Sequence, residues 1–272
     1  MRLGERTFVM AILNITPDSF ADGGVHLDVG KAVAAGLRMV DEGADILDIG
    51  GESTRPGADE VGAEEEMRRV LPVIEELARQ TPALISIDTY KGVVAREAVA
   101  RGASMINDIS GLQYDPELGE AAADTGAALV LMHTRGRSRT MYDLATYQDV
   151  VADVITELGE AMGRATAAGV RPDAVILDPG FGFAKKAEHS YALLARLPQL
   201  ARLGRPILSG PSRKSFLKQA IGDRLPPDRE WGTAAAVTAS VLGGAHIVRV
   251  HGVKEMGDVV RVADRVREES SR

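Results

Sequence analysis

The stretch "ILSGPSRKSF" (207–216) sets two cations, Arg213 and Lys214, among serines and a Gly-Pro pair. Further on, "RVH" (249–251) spaces Arg249 and His251 two residues apart. On an extended strand both then face one way and Val250 the other. A lone His is more often structural; paired with Arg at this period it reads as an anion site. Two loops are also rich in chemistry. "NITPDSFADGG" (14–24) carries Asn14, Asp22 and a single Phe20, and "GGESTRPGAD" (50–59) holds Thr54, Arg55 and Pro56 between glycines. Turn formation accounts for the Gly, Pro, Asp and Ser in both. It does not account for an aromatic in a polar loop, or for a cation straight after a strand end. Such loops suit a lid over a flat, charged ligand.

The elements that must position these residues alternate regularly. Short apolar runs lie at 7–14, 44–50, 83–89, 104–110, 127–133, 174–179, 206–210 and 245–251. Their near-continuous hydrophobicity implies burial on both faces, as in a parallel sheet. Between them helical spacing recurs at Val33, Leu37 and Val40, at Met67, Leu71 and Ile74, at Val151, Ile155, Leu158 and Met162, and at Met256, Val259, Val260 and Ala263. Glycine-bearing turns ("EGAD", "RGAS", "TGAA", "GGAH") precede four of the strands, where helices should end. Eight such alternations predict a TIM (β/α)8 barrel, one domain over 1–272. A doubly wound open sheet would put a glycine-rich nucleotide turn after the first strand, and neither GxGxxG nor GxxxxGK[ST] occurs there.

The apolar runs close on Asn14, Asp48 with Gly50, Asp88, Asn107 with Asp108, His133, Asp178, Ser209, and Arg249 with His251. A barrel opens all of these ends on one rim, which predicts a polar pocket drawn from most of the strands. His133 is read as structural or as supporting a neighbour. Composition narrows the ligand. With 272 residues, 45% hydrophobic and 26% charged, the chain is ordinary globular material. The absence of cysteine excludes disulfides, thiolate metal sites and a Cys nucleophile. A formal charge of −7 argues against nucleic acid and anionic membranes as partners. No signal-peptide pattern or bilayer-length apolar run is seen, so a soluble cytoplasmic protein is expected.

Taken in order, "ILNITPDSF.DGG", "DIGGESTRPG", "SIDT", "INDISG", "DPGFGF", "SRKSF" and "RVH" resemble the signatures of the dihydropteroate synthase family across essentially the whole chain. The resemblance implies a homodimeric TIM barrel of the folate pathway. It would join 6-hydroxymethyl-7,8-dihydropterin diphosphate to 4-aminobenzoate and release pyrophosphate with Mg²⁺ present, by an SN1-like route. By the same resemblance Asp88, Asn107, Asp178 and Lys214 form the pterin pocket. Ser215, at the start of the next helix, holds the aminobenzoate carboxylate, with Phe20, Thr54, Arg55, Pro56 and Phe183 shaping that subsite. Asn14, Thr54, Arg249 and His251 take the diphosphate, Asn14 also as the Mg²⁺ ligand. Asp88, Asp22, Lys214, Arg249 and His251 carry the catalysis. Arg213 is the member of its cluster most like a surface residue. The helices after strands six to eight, including "TAAAVTASVLGGA", are the expected dimer surface.

Ala21, Thr134-Arg135 and Ala184 depart from the commoner family pattern, leaving the fine shape of the pocket open. A corrinoid methyltransferase barrel would share the pterin-edge carboxylates without needing "STRPG" or "SRKS". A non-catalytic paralogue would be marked by loss of Lys214, Arg249 or a lid loop, and all three are present.

Overall fold

The computed structural model describes residues 3–16, 21–22, 26–53 and 57–270, with the backbone alone at 21–22 and 26–27. The expected strands are present, most a residue or two shorter than their apolar runs. They are β1 Phe8–Asn14, β2 Ile46–Gly50, β3 Leu84–Asp88, β4 Met105–Asp108, β5 Ala128–Met132, β6 Val175–Asp178, β7 Leu208–Ser209 and β8 Ile247–Val250. All pair in parallel in the order β6-β5-β4-β3-β2-β1-β8-β7, and a parallel bridge between Leu177 and Ile207 joins the two ends. Residues 21–22 and 26–27 form a separate two-stranded ribbon.

Helices follow the strands: α1 Val29–Asp41, α2 Ala63–Gln80, α3 Gly92–Ala100, α4 Glu117–Thr125, α5 Val150–Ala167, α6 Ala187–Ala195, α7 Glu230–Leu242 and α8 Val253–Ser270. Asp28 and Asp149 cap α1 and α5 by accepting N–H groups of the first turn. Gly102, after α3, has φ +113, and a Cβ there would lie 2.5 Å from that of Ala78. Only glycine meets both demands.

Strand alternation sorts the side chains into two cores. Val9, Ala11, Leu13, Leu47, Ile49, Ile85, Ile87, Leu129, Leu131, Val248 and Val250 point outward and pack with the helices. Met10, Ile46, Met105, Val130, Ile176, Leu208 and Ile247 point inward and plug the bore. Two residues further along the same inward face stand Asp48, Asn107, Asp178 and Arg249. Register aligns the rim, because Asn14 pairs with Gly50, Gly50 with Asp88, and Asp88 with Asn107. The apolar plug is therefore the floor of a polar basin.

Candidate active site

Arg249 is the hub of this basin. Its Nε donates to Asp48 Oδ2 at 2.5 Å and its Nη2 to Asp88 Oδ2 at 2.7 Å. Asn107 Nδ2 donates to the same Asp48 oxygen at 2.9 Å. The other oxygen of Asp48, fully buried, has no hydrogen-bond partner, a costly state that a donor entering the basin would relieve. Burial, opposed by Arg249 but reinforced by Asp48, pushes Asp88 up to about 7. Gly50 keeps the row between Asn14 and Asp88 low, since a Cβ there would lie 3.3 Å from that of Asp88.

Lys214 stands across the basin. Its Nζ donates to the Phe181 carbonyl at 2.5 Å and lies 4.4 Å from the centre of the Phe183 ring. Burial lowers Lys214 to about 8, with Asp178 and Asp88 opposing the fall and Arg249 adding to it. Asp178 is raised by burial, while Lys214, a hydrogen bond from the Gly180 N–H and Arg249 act against the rise. The Asp178 bond to Gly180 is 2.7 Å long, so this carboxylate shapes its turn as well as facing the basin.

Arg213 is turned away from the pocket and is not a solvated surface residue. It is half-buried with φ +57, held by its N–H to Thr233 Oγ1 at 3.0 Å and its Nε to Glu230 Oε2 at 2.9 Å. Arg229 Nη1 donates to its carbonyl at 2.7 Å. This clamp sets the direction in which Lys214 leaves the chain. Ser215 is exposed at the head of a 3-10 turn of three residues, Ser215–Leu217, followed by the four-residue helix Lys218–Ile221. The helix expected to begin here does so but is short, so little macrodipole is available.

His251 Nδ1 lies 2.9 Å from Ser212 Oγ, and the His251 N–H donates to the same oxygen. Asn14 ends β1 half-buried on the adjacent strand. Phe20, Thr54, Arg55 and Pro56, and the side chain of Asp22, lie outside the described residues. Two strand-end groups serve the fold instead. Asp108 accepts the N–H groups of Ser110 and Leu112, and Ser209 bonds Ser240 at 2.8 Å. Spacing could not reveal that Asp48 shares Arg249, or that Lys185 lies buried beneath the pocket. "DIGG" did flag Asp48 as a strand end, whereas Lys185 looks like any helix-leading lysine.

Residues 10–251 match the family described as "Pterin binding enzyme", the class of protein that this barrel and its rim define. Over 261 residues the chain is 47% identical to the dihydropteroate synthase of Synechocystis sp., covering 96% of this chain and 90% of that protein. The chain belongs to the dihydropteroate synthase family. It is similar to the Xanthomonas albilineans enzyme solved with 4-aminobenzoic acid, with a TM-score of 0.90 and 48% identity, covering 97% of this chain and 94% of that one. A second structure of the X. albilineans enzyme, in complex with 7,8-dihydropteroate, gives a TM-score of 0.87 at 44% identity over 97% and 94% of the two chains.

Proposed function

We propose that the enzyme, a transferase of folate biosynthesis by its family, condenses 6-hydroxymethyl-7,8-dihydropterin diphosphate with 4-aminobenzoate to give 7,8-dihydropteroate and pyrophosphate. One observation carries the reading: three buried carboxylates, Asp48, Asp88 and Asp178, share one basin with two cations, Arg249 and Lys214. The basin is short of positive charge and rich in acceptors, which suits the N–H edge of a pterin. It also suits a ring on which positive charge develops as diphosphate departs, the SN1-like order of events. Asp178, Asp88 and Asn107 would receive the ring edge, and Lys214 and Phe183 its face and carbonyl side. Asp22, on the first loop, would add negative charge. An arylamine is a competent neutral nucleophile, so orientation and exclusion of water suffice for the attack.

His251, Thr54 and the outer edge of Arg249 would hold the diphosphate. Asn14 supplies a hard oxygen donor of the type Mg²⁺ accepts alongside phosphate oxygens and water. Among the described residues no three His, Asp or Glu side chains gather into a cage, so Asn14 is the side chain that would hold the ion. When bound, Mg²⁺ would offset the charge of the departing group. Ser215, Phe20, Arg55, Pro56 and Phe183 would receive the aminobenzoate.

The reading extends to a soluble cytoplasmic homodimer. No helix among the described residues is long and apolar enough to cross a membrane. On α7 the exposed positions Trp231, Ala235, Ala239 and Leu242 recur at helical spacing, beside exposed Val262 and Val266 on α8. A second copy would cover this face. Pyrophosphate release, measured with each substrate omitted in turn and with and without Mg²⁺, tests the chemistry. Release that needs both substrates and the metal is expected. Formation of methylcobalamin without pyrophosphate would replace this reading with a methyltransferase.

A further inference from the structure

Beneath the basin, Lys185 is only 2% exposed. Its Nζ has three acceptors: His133 Nδ1 at 2.7 Å, the Phe183 carbonyl at 2.9 Å and the His133 carbonyl at 3.2 Å. His133 Nε2 faces Glu157 Oε2 at 2.9 Å. An ionised carboxylate only accepts, so Nε2 carries the imidazole proton and Nδ1 receives one from Lys185. Three acceptors match the three N–H bonds of an ammonium, whereas a neutral amine would leave one of them unserved. Arg135 in turn holds Glu157 through Nε and Nη2. A chain of contacts thus runs from Arg135 through Glu157 and His133 to Lys185.

The segment that Lys185 secures is held in a sparsely populated course. Gly180 and Gly182, with φ of +68 and +76, take this course freely, but Ala184 at φ +49 stays there only where its surroundings hold it. This segment carries both groups that meet Lys214, the Phe181 carbonyl and the Phe183 ring. We propose that Lys185 is a positioning residue for the pterin: by tying the Phe183 carbonyl to His133 at the end of β5, it holds residues 179–184 so that Phe181 and Phe183 present Lys214 to the ring. Burial lowers the Lys185 ammonium well below the usual lysine range, with Asp178 opposing the fall and Lys214 adding to it, so its hold on the segment rests on these hydrogen bonds rather than on a fixed charge.

The inference rests on the pterin reading of the basin, and direct binding separates the two. A pterin's own fluorescence reports the binding of 6-hydroxymethylpterin without turnover. If the parent enzyme binds none, the functional reading fails. If it binds, Lys185→Met is expected to weaken pterin binding about 10- to 100-fold, with a smaller rise in the KM for 4-aminobenzoate, whose subsite shares Phe183. A folded variant with parental pterin affinity, or with both ligands weakened alike, overturns the proposal. Should Lys185→Met not fold, Glu157→Gln at the half-buried end of the chain carries the test. A pterin Kd raised more than the aminobenzoate KM is expected, and a parental pterin Kd overturns it.

Discussion

Lys214 and Arg249 are both cations of the rim, yet their substitution should read out differently. Lys214→Ala removes one charge beside Asp178, whose raised pKa lets it take up a proton in compensation. Turnover is expected to fall by roughly 100-fold or more with the circular dichroism of the folded barrel retained; near-parental turnover would contradict the assigned role. Arg249→Ala instead strands Asp48 and Asp88, and a buried pair broken on one side costs about 3–5 kcal/mol, so lost activity there mixes chemistry with stability. The pH dependence follows from the same groups. Asp88 is ionised above about 7 and Lys214 is charged below about 8. The profile of kcat/KM for the pterin substrate should therefore be a narrow bell. Its acid limb belongs to Asp88 beside Arg249 and its alkaline limb to Lys214. Lys214→Arg should remove the alkaline limb from this range. Asp48 shows the limit of reading at this scale. Its type and place were visible in "DIGG", but its partner lies 201 residues away in the chain.

At the scale of elements, the loops after β5, β6 and β7 share the work of shaping the basin. Gly180 makes the sharp turn after β6. Its φ is +68 and an added Cβ would fall 2.1 Å from the His133 carbonyl oxygen. Gly180→Ala should destabilise the fold by roughly 2–4 kcal/mol, seen as a lower unfolding midpoint in urea. The end of β5 carries an acid-sensitive group. Burial and the nearby Lys185 lower His133 to about 4, against the pull of Glu157. The unfolded chain then takes up this proton near the ordinary His value of about 6.5 and the folded chain only near 4. Between those values the unfolded state binds more protons at this group, so its contribution to stability falls as pH drops through the window, whereas Asp88, raised to about 7, contributes in the opposite sense. Measured against His133→Gln, the parent should therefore lose melting temperature from pH 7 to pH 4.5, and parallel curves for the two proteins would contradict the assignment. Helical spacing and strand patterning were legible for all of these elements. The loop after β7 was not, because "SRKSF" reads equally well as the start of a helix or as the short 3-10 turn that Arg213 and its clamp impose.

For the molecule as a whole, closure of the sheet decides which ends meet. β1 pairs with β8 although the two strands stand at opposite ends of the chain, and only this seam brings Asn14 beside the strand of Arg249 and His251. The outer surface bears on the proposed dimer. Trp231, 84% exposed on α7, would be an unfavourable solvent residue unless a second copy covers it. Trp231→Glu is expected to shift the protein from dimer to monomer in sedimentation velocity, with the barrel still folded. A parental sedimentation coefficient would place the interface elsewhere.

Period-two alternation and the polar residue closing each apolar run were written in the amino-acid order, because burial on both sheet faces demands apolar strands and water demands polar ends. From these alone the barrel and the polar side chains along its rim could be read. Which charge faces which was decided by the closed cylinder: Arg249 turned inward to two carboxylates, Arg213 turned away to Glu230, and Lys185 buried against His133. Those pairings depend on distances between segments far apart in the chain, and a linear pattern carries no distance in space.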